Sequence, residues 1–94
     1  MLRASGVATR AGSVVSIVYC ITCNYRPQAL RAASALRQAL GIDAILVRGH
    51  SGRFDVEVDG RVVAARSGSR FPTDEEVVDA VARALGVPRP GRAP

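Results

Sequence analysis

The chain has no lysine and no tryptophan, and its aromatic residues make up only 4% of 94 positions. A stacking platform for single-stranded nucleic acid, which needs several exposed rings, is therefore not expected. Long apolar runs are missing as well. The longest, Val14 to Ile21, spans eight residues and already contains Ser16, against about twenty needed to cross a bilayer. No membrane segment is expected. Cysteine is limited to Cys20 and Cys23, too few and too close together for a secreted disulfide framework. The cytosol is the expected compartment. Phosphate-binding loops, nucleophile elbows and dinucleotide fingerprints are also absent from the sequence.

What is present suits one small domain. Hydrophobic residues make up 48% and charged residues 22%, enough apolar surface for a core within a length that holds only one. The formal charge of +5 comes from thirteen arginines against eight acids. Fifteen alanines accompany them, so part of the Arg/Ala excess reads as coding bias. Arg3, Arg10, Arg89 and Arg92 lie in the flanks, where no acid occurs. Residues 13–85 hold the other nine arginines and all eight acids, which leaves that stretch at +1. Basicity thus belongs to the flanks, and nucleic acid is not an expected partner.

Three regions follow. Residues 1–12 read as a disordered N-terminal leader, with an over-extended start or a targeting segment as the other readings. Residues 13–85 form the expected domain. Residues 86–94 are a Pro/Gly-rich tail expected to be unstructured.

Within the domain, Ser13 to Tyr19 is β-branched and apolar on both faces, as in a covered central strand. A helix is expected from Tyr25 or Pro27 to Leu40, with an Ala29, Ala33, Leu36, Leu40 stripe and a stop at Gly41. Asp43 to Arg48 reads as a strand parallel to the first. Arg53 to Asp59 alternates strictly, placing Phe54, Val56 and Val58 inward and Arg53, Asp55, Glu57 and Asp59 on a wet face. Asp59-Gly60 predicts a two-residue hairpin into Arg61 to Arg66. A capping box of Thr73 and Glu76 opens a last helix, Thr73 to Leu85, whose apolar stripe is Val77 or Val78, Val81 and Leu85. The order β-α-β-β-β-α with one wet sheet face predicts an α/β fold, a two-layer sandwich with both helices on one side.

The chemical signal is Cys20-x-x-Cys23, directly after a buried strand and before a helix. A thiolate near a helix N-terminus is favoured by the unpaired amides, and a second thiol one turn away can resolve a mixed disulfide. Half of a zinc site and an inert buried pair are the competing readings. Zinc wants four ligands, and outside the pair the sequence offers only His50 as a further His or Cys. No metal and no organic cofactor are expected. Parallel strands and a returning hairpin bring three segments to the dithiol's end of the sheet: Cys20 to Tyr25, Arg48 to Arg53, and Ser67 to Pro72. Gly49, Ser51, Gly52, Arg53, Arg70 and Phe71 are accordingly candidate substrate-binding residues, the glycines expected to be there first for positive φ and Phe71 as an apolar wall. Arg48, Arg53 and Arg70 are candidates to meet carboxylates.

These residues together resemble the selenoprotein W-like family, the Rdx group. The matching stretches are Val18-Tyr19-Cys20-Ile21-Thr22-Cys23-Asn24-Tyr25, the Ala29/Leu36/Leu40 stripe, Gly49 to Val56 leading to Asp59-Gly60, and Arg70-Phe71-Pro72. They cover Ser13 to Leu85. The resemblance implies a thioredoxin-like fold with a mixed four-stranded sheet in the order 2-1-3-4. It also implies a redox role with glutathione or protein thiols and disulfides as partners. The sequence departs from thioredoxin itself, with no Pro before the third strand and no Trp beside the motif. Ser69 stands where relatives often carry Gly. In such proteins the second position of the pair is sometimes selenocysteine, which points to Cys23 as the attacking group. Thioredoxin logic instead makes Cys20 the attacking thiol and Cys23 the resolving one, and that is the expectation adopted. The function expected is a thiol–disulfide oxidoreductase or redox-regulatory protein. The alternative is an interaction adaptor whose dithiol is a switch.

Overall fold

The computed structural model describes residues 12–88. The expected leader therefore lies outside the described residues apart from Gly12, and the expected tail apart from residues 86–88. Six elements follow in chain order: β1 (Val15–Cys20), α1 (Arg26–Leu40), β2 (Ile45–Gly49), β3 (Phe54–Val58), β4 (Arg61–Ala65) and α2 (Asp74–Leu85). The sheet order is β2-β1-β3-β4. β1 runs parallel to β2 and antiparallel to β3, and β3 pairs antiparallel with β4.

Alternation along the strands builds the core. Val15, Ile17 and Tyr19 of β1 and Phe54, Val56 and Val58 of β3 face the helices. Ala29, Ala32 and Leu36 of α1 meet them together with Val77, Val78 and Val81 of α2. One apolar cluster thus joins both helices to the same sheet face, and each fully buried Val, Ile or Leu adds roughly 1.5–3 kcal/mol. On α1 the buried position is Ala32, while Ala33 and Leu40 are half-buried. Ala32 joins the buried cluster that also holds Val77, Val78 and Val81 of α2.

Among the described residues no helix covers the opposite sheet face, which carries Arg53, whose guanidinium bonds Asp55 at 2.8 Å and Glu57 at 3.2 Å. This is the expected wet face. Asp59 (φ 53) and Gly60 (φ 85) make the type I′ turn that the Asp-Gly pair predicts. In β4 the register slips, so that Val56 faces Ala64 while Glu57 faces Val62. Val63 is the extra residue of this bulge. Val63 and Ala64 both pack toward the core, and Val62 is left 53% exposed.

Both helix ends behave as their sequences dictate. Thr73 caps α2 and exchanges the capping-box bonds with Glu76, at 2.9 and 3.1 Å. Gly41 and Gly86 close the two helices in left-handed conformation.

Candidate functional site

The first cysteine belongs to the sheet. Cys20 is the last residue of β1, and its N–H donates to the Arg53 carbonyl at 2.8 Å. Beyond it the chain turns at once: Asn24 N–H donates to the Ile21 carbonyl at 2.9 Å, and Asn24 adopts a left-handed φ of 62°. Asn is among the few residues that enter this region at low cost. The reversal lets Tyr25 N–H donate back to the Cys20 carbonyl at 3.3 Å. Within this closed turn Cys20 and Cys23 form a disulfide, with their Cα atoms 5.4 Å apart.

The two sulfurs differ in access. Cys20 has 0% of its surface exposed, enclosed by its strand neighbours, whereas Cys23 lies on the outer side of the turn and is exposed. The exposed member of the pair is therefore Cys23, whereas the expectation has Cys20 attack. A strand's last residue is shielded by the strands beside it; a turn residue is not. Thr22 adds a polar contact, its Oγ1 lying 3.4 Å from Cys20 Sγ. A disulfide sulfur carries no hydrogen, so the hydroxyl donates.

α1 begins just after the turn, with Tyr25 at the N-cap. Its side chain makes no capping bond, and the first turn contains no acid. The positive helix end is thus left available to an anion such as a thiolate two residues earlier. Pro27 sits in that first turn, as expected.

The other two predicted segments do converge here. Gly49 pairs with Cys20 in the β1–β2 register. Its φ is not positive, contrary to the expectation; glycine is required because a Cβ would lie 2.8 Å from Val18 Cγ1. Ser51 (φ 56) and Gly52 (φ 74) form a tight turn closed by Arg53 N–H to the His50 carbonyl at 3.1 Å. Phe71 is an apolar wall, edge-on to Tyr25 at 4.8 Å and to Phe54 at 5.1 Å between centroids. Beyond it an open groove of about 450 Å³ runs between Gln28 and Arg31 of α1 and the start of α2.

Two of the candidate arginines, Arg53 and Arg70, are paired with carboxylates. Arg53 offers its carbonyl to Cys20 while its guanidinium is committed to Asp55 and Glu57. Arg70 bonds Glu76 at 2.8 Å and so braces α2. Arg48 and His50 are exposed. Thr22 and Arg66 are the additional residues. Arg66 Nε donates to the Gly52 carbonyl at 3.1 Å, its Nη1 to the Gly68 carbonyl, and its guanidinium lies 5.4 Å from the Tyr25 ring centroid. Thr22 was legible only as a hydroxyl inside the motif, and Arg66 had no local signal. Among the described residues no group of three or more His, Cys, Asp or Glu is arranged to hold a metal ion. No helix among them is long and apolar enough to cross a membrane.

A mixed sheet in this order, with two helices on one face and a dithiol leaving the end of β1, defines a protein of thioredoxin-like fold. Within that class the chain belongs to the Rdx family, whose model matches residues 14–83. It is 31% identical over 80 residues to migration and invasion enhancer 1 of Bos taurus, covering 81% of this chain and 70% of that protein. Among solved structures, one from Bordetella parapertussis is 26% identical with a TM-score of 0.68, covering 78% of this chain and 98% of that one. A selenoprotein W-related protein from Vibrio cholerae shares the fold at 23% identity, with a TM-score of 0.66 over 78% of this chain and 95% of that one. Family and Cys-x-x-Cys motif together point to redox function.

Proposed function

We propose that the protein is a thiol–disulfide oxidoreductase in which Cys23 attacks and Cys20 resolves. The observation that carries this reading is the unequal exposure of the two bonded cysteines. In the reduced protein the Cys23 thiolate, favoured by the open end of α1, attacks one sulfur of a substrate disulfide. The substrate S–S bond breaks, its other sulfur leaves as a thiolate, and Cys23 is held in a mixed disulfide. Cys20 then attacks Cys23 Sγ, forming the internal disulfide and releasing the second substrate thiolate. The substrate gains two electrons and the dithiol loses them; the leaving thiolates take up protons from solvent.

Thr22 serves the buried partner. Its hydroxyl donates to Cys20 Sγ and stabilises negative charge there, which water cannot reach. Substrates of this chemistry are glutathione or protein disulfides, with the cytosol as the working compartment. A thiol reductant of the same class returns the dithiol by the reverse steps.

Equilibration of the full chain in glutathione buffers of graded potential tests the reading. One two-electron transition between the dithiol and the Cys20–Cys23 disulfide is expected. Absence of that disulfide across the accessible range would exclude the assignment.

A further inference from the structure

We infer that Arg66 is the positioning residue of the dithiol, holding the turn in which Cys20 resolves a mixed disulfide on Cys23; this rests on the oxidoreductase reading above. Arg66 follows β4, and its own N–H donates to the Phe54 carbonyl at 2.9 Å. From there one planar guanidinium reaches two segments distant in sequence and the turn just after β4. Nε donates to the Gly52 carbonyl at 3.1 Å, Nη1 to the Gly68 carbonyl, and the Tyr25 ring lies beneath Cζ at 5.4 Å.

Those contacts lead to Cys20 by two routes. Gly52 directly precedes Arg53, whose carbonyl accepts the Cys20 N–H at 2.8 Å. Tyr25 donates its N–H to the Cys20 carbonyl at 3.3 Å. Arg66 therefore braces both main-chain partners of the buried cysteine. Arg37, Arg53 and Arg70 spend their charge on carboxylates, whereas the bonds of Arg66 go to main-chain carbonyls and an aromatic face. The fit is close: a Cβ on Gly52 would stand 3.0 Å from Arg66 Nη2. A lysine ammonium has neither the fork that bonds two carbonyls at once nor the flat face that stacks on a ring.

Kinetics separate this role from general support. The first attack is bimolecular, made by an exposed sulfur, and does not depend on where Cys20 is held. The second is intramolecular and depends steeply on alignment. In it Cys20 Sγ bonds to Cys23 Sγ, the bond from Cys23 to glutathione breaks, and the glutathione thiolate leaves to be protonated by solvent.

The test mixes reduced full-length protein with oxidised glutathione and follows the mixed and internal disulfides by acid quench and mass spectrometry. Arg66→Met is expected to keep the first step, slow the second about tenfold, and so accumulate the mixed disulfide. Arg66→Lys, the variant to rely on if Arg66→Met does not fold, is expected to fall between Arg66→Met and wild type. Arg37→Met, in the last turn of α1 and paired with Asp43, is expected to match wild type in both steps. If the Arg66 variants resolve at the wild-type rate, or lose both steps equally, the inference is overturned while the proposed function stands. A wild-type protein that never takes up glutathione overturns both, and does so without reference to any variant.

Discussion

The Thr22 hydroxyl donates to Cys20 Sγ, the buried sulfur of the Cys20–Cys23 bond, across 3.4 Å. A sulfur that must carry negative charge without water needs such a donor. Thr22→Val keeps the shape and removes the hydroxyl, so it is expected to slow steps in which Cys20 is a thiolate by about tenfold, the scale of one hydrogen bond to a charged group. Thr22→Ser is expected to retain most of the rate. Stopped-flow measurement of internal disulfide formation checks both.

Glycine at two positions of the second segment is required for different reasons. Gly49→Ala places a Cβ 2.8 Å from Val18 Cγ1 and is expected to cost about 1–3 kcal/mol by overpacking. Gly52→Ala meets a φ of +74° and the Arg66 guanidinium, and is expected to cost about 1–2 kcal/mol. Thermal denaturation of the two variants measures these losses, at about 4–8 °C per kcal/mol for a domain of this size.

Much of the fold was legible because its signals are local. The Thr73–Glu76 capping box, the Asp59-Gly60 turn and the alternation of Phe54, Val56 and Val58 each depend on residues only a few positions apart. The β1 boundary moved from Ser13–Tyr19 to Val15–Cys20 because pairing with Gly49 keeps Cys20 in the sheet. Tertiary choices were not legible. The Val63 bulge, the preference for Ala32 over Ala33, and the enclosure of Cys20 all depend on neighbours far away in sequence. The cysteines themselves could be named from the motif, but their unequal exposure needed the third dimension. Arg66 reaches Gly52, fourteen residues back, through a side chain that no period or motif marks.

The aromatic wall tests how the third segment is held. Phe71 meets Tyr25 and Phe54 edge-on, at 4.8 and 5.1 Å. Phe71→Leu preserves apolar bulk but loses both ring contacts, and is expected to lower stability by about 1–2 kcal/mol. Urea denaturation with an unchanged slope verifies that the native fold persists.

Two carboxylates contribute to the acid limb of stability. The Val14 N–H, and then the Ser13 hydroxyl, hold Asp59 below its ordinary 3.8. The Thr73 N–H, and then Arg70, hold Glu76 below its ordinary 4.5. Folding thus binds fewer protons than the unfolded chain, so both contributions are complete above those ordinary values and vanish as pH falls through the lowered ones. Denaturation midpoints are expected to be flat down to about pH 5 and to decline below about pH 4. Asp59→Asn and Glu76→Gln each start lower at neutral pH and decline less.

Trapping of the first intermediate bears most directly on the assignment of Cys23 as the attacking thiol. Cys20→Ser and Cys23→Ser proteins are reduced, exposed to oxidised glutathione, and mapped by peptide mass spectrometry. The expected result is a stable glutathione adduct on Cys23 in the Cys20→Ser protein, formed much faster than any adduct on Cys20 in the Cys23→Ser protein. An adduct that forms faster on Cys20 would contradict the account.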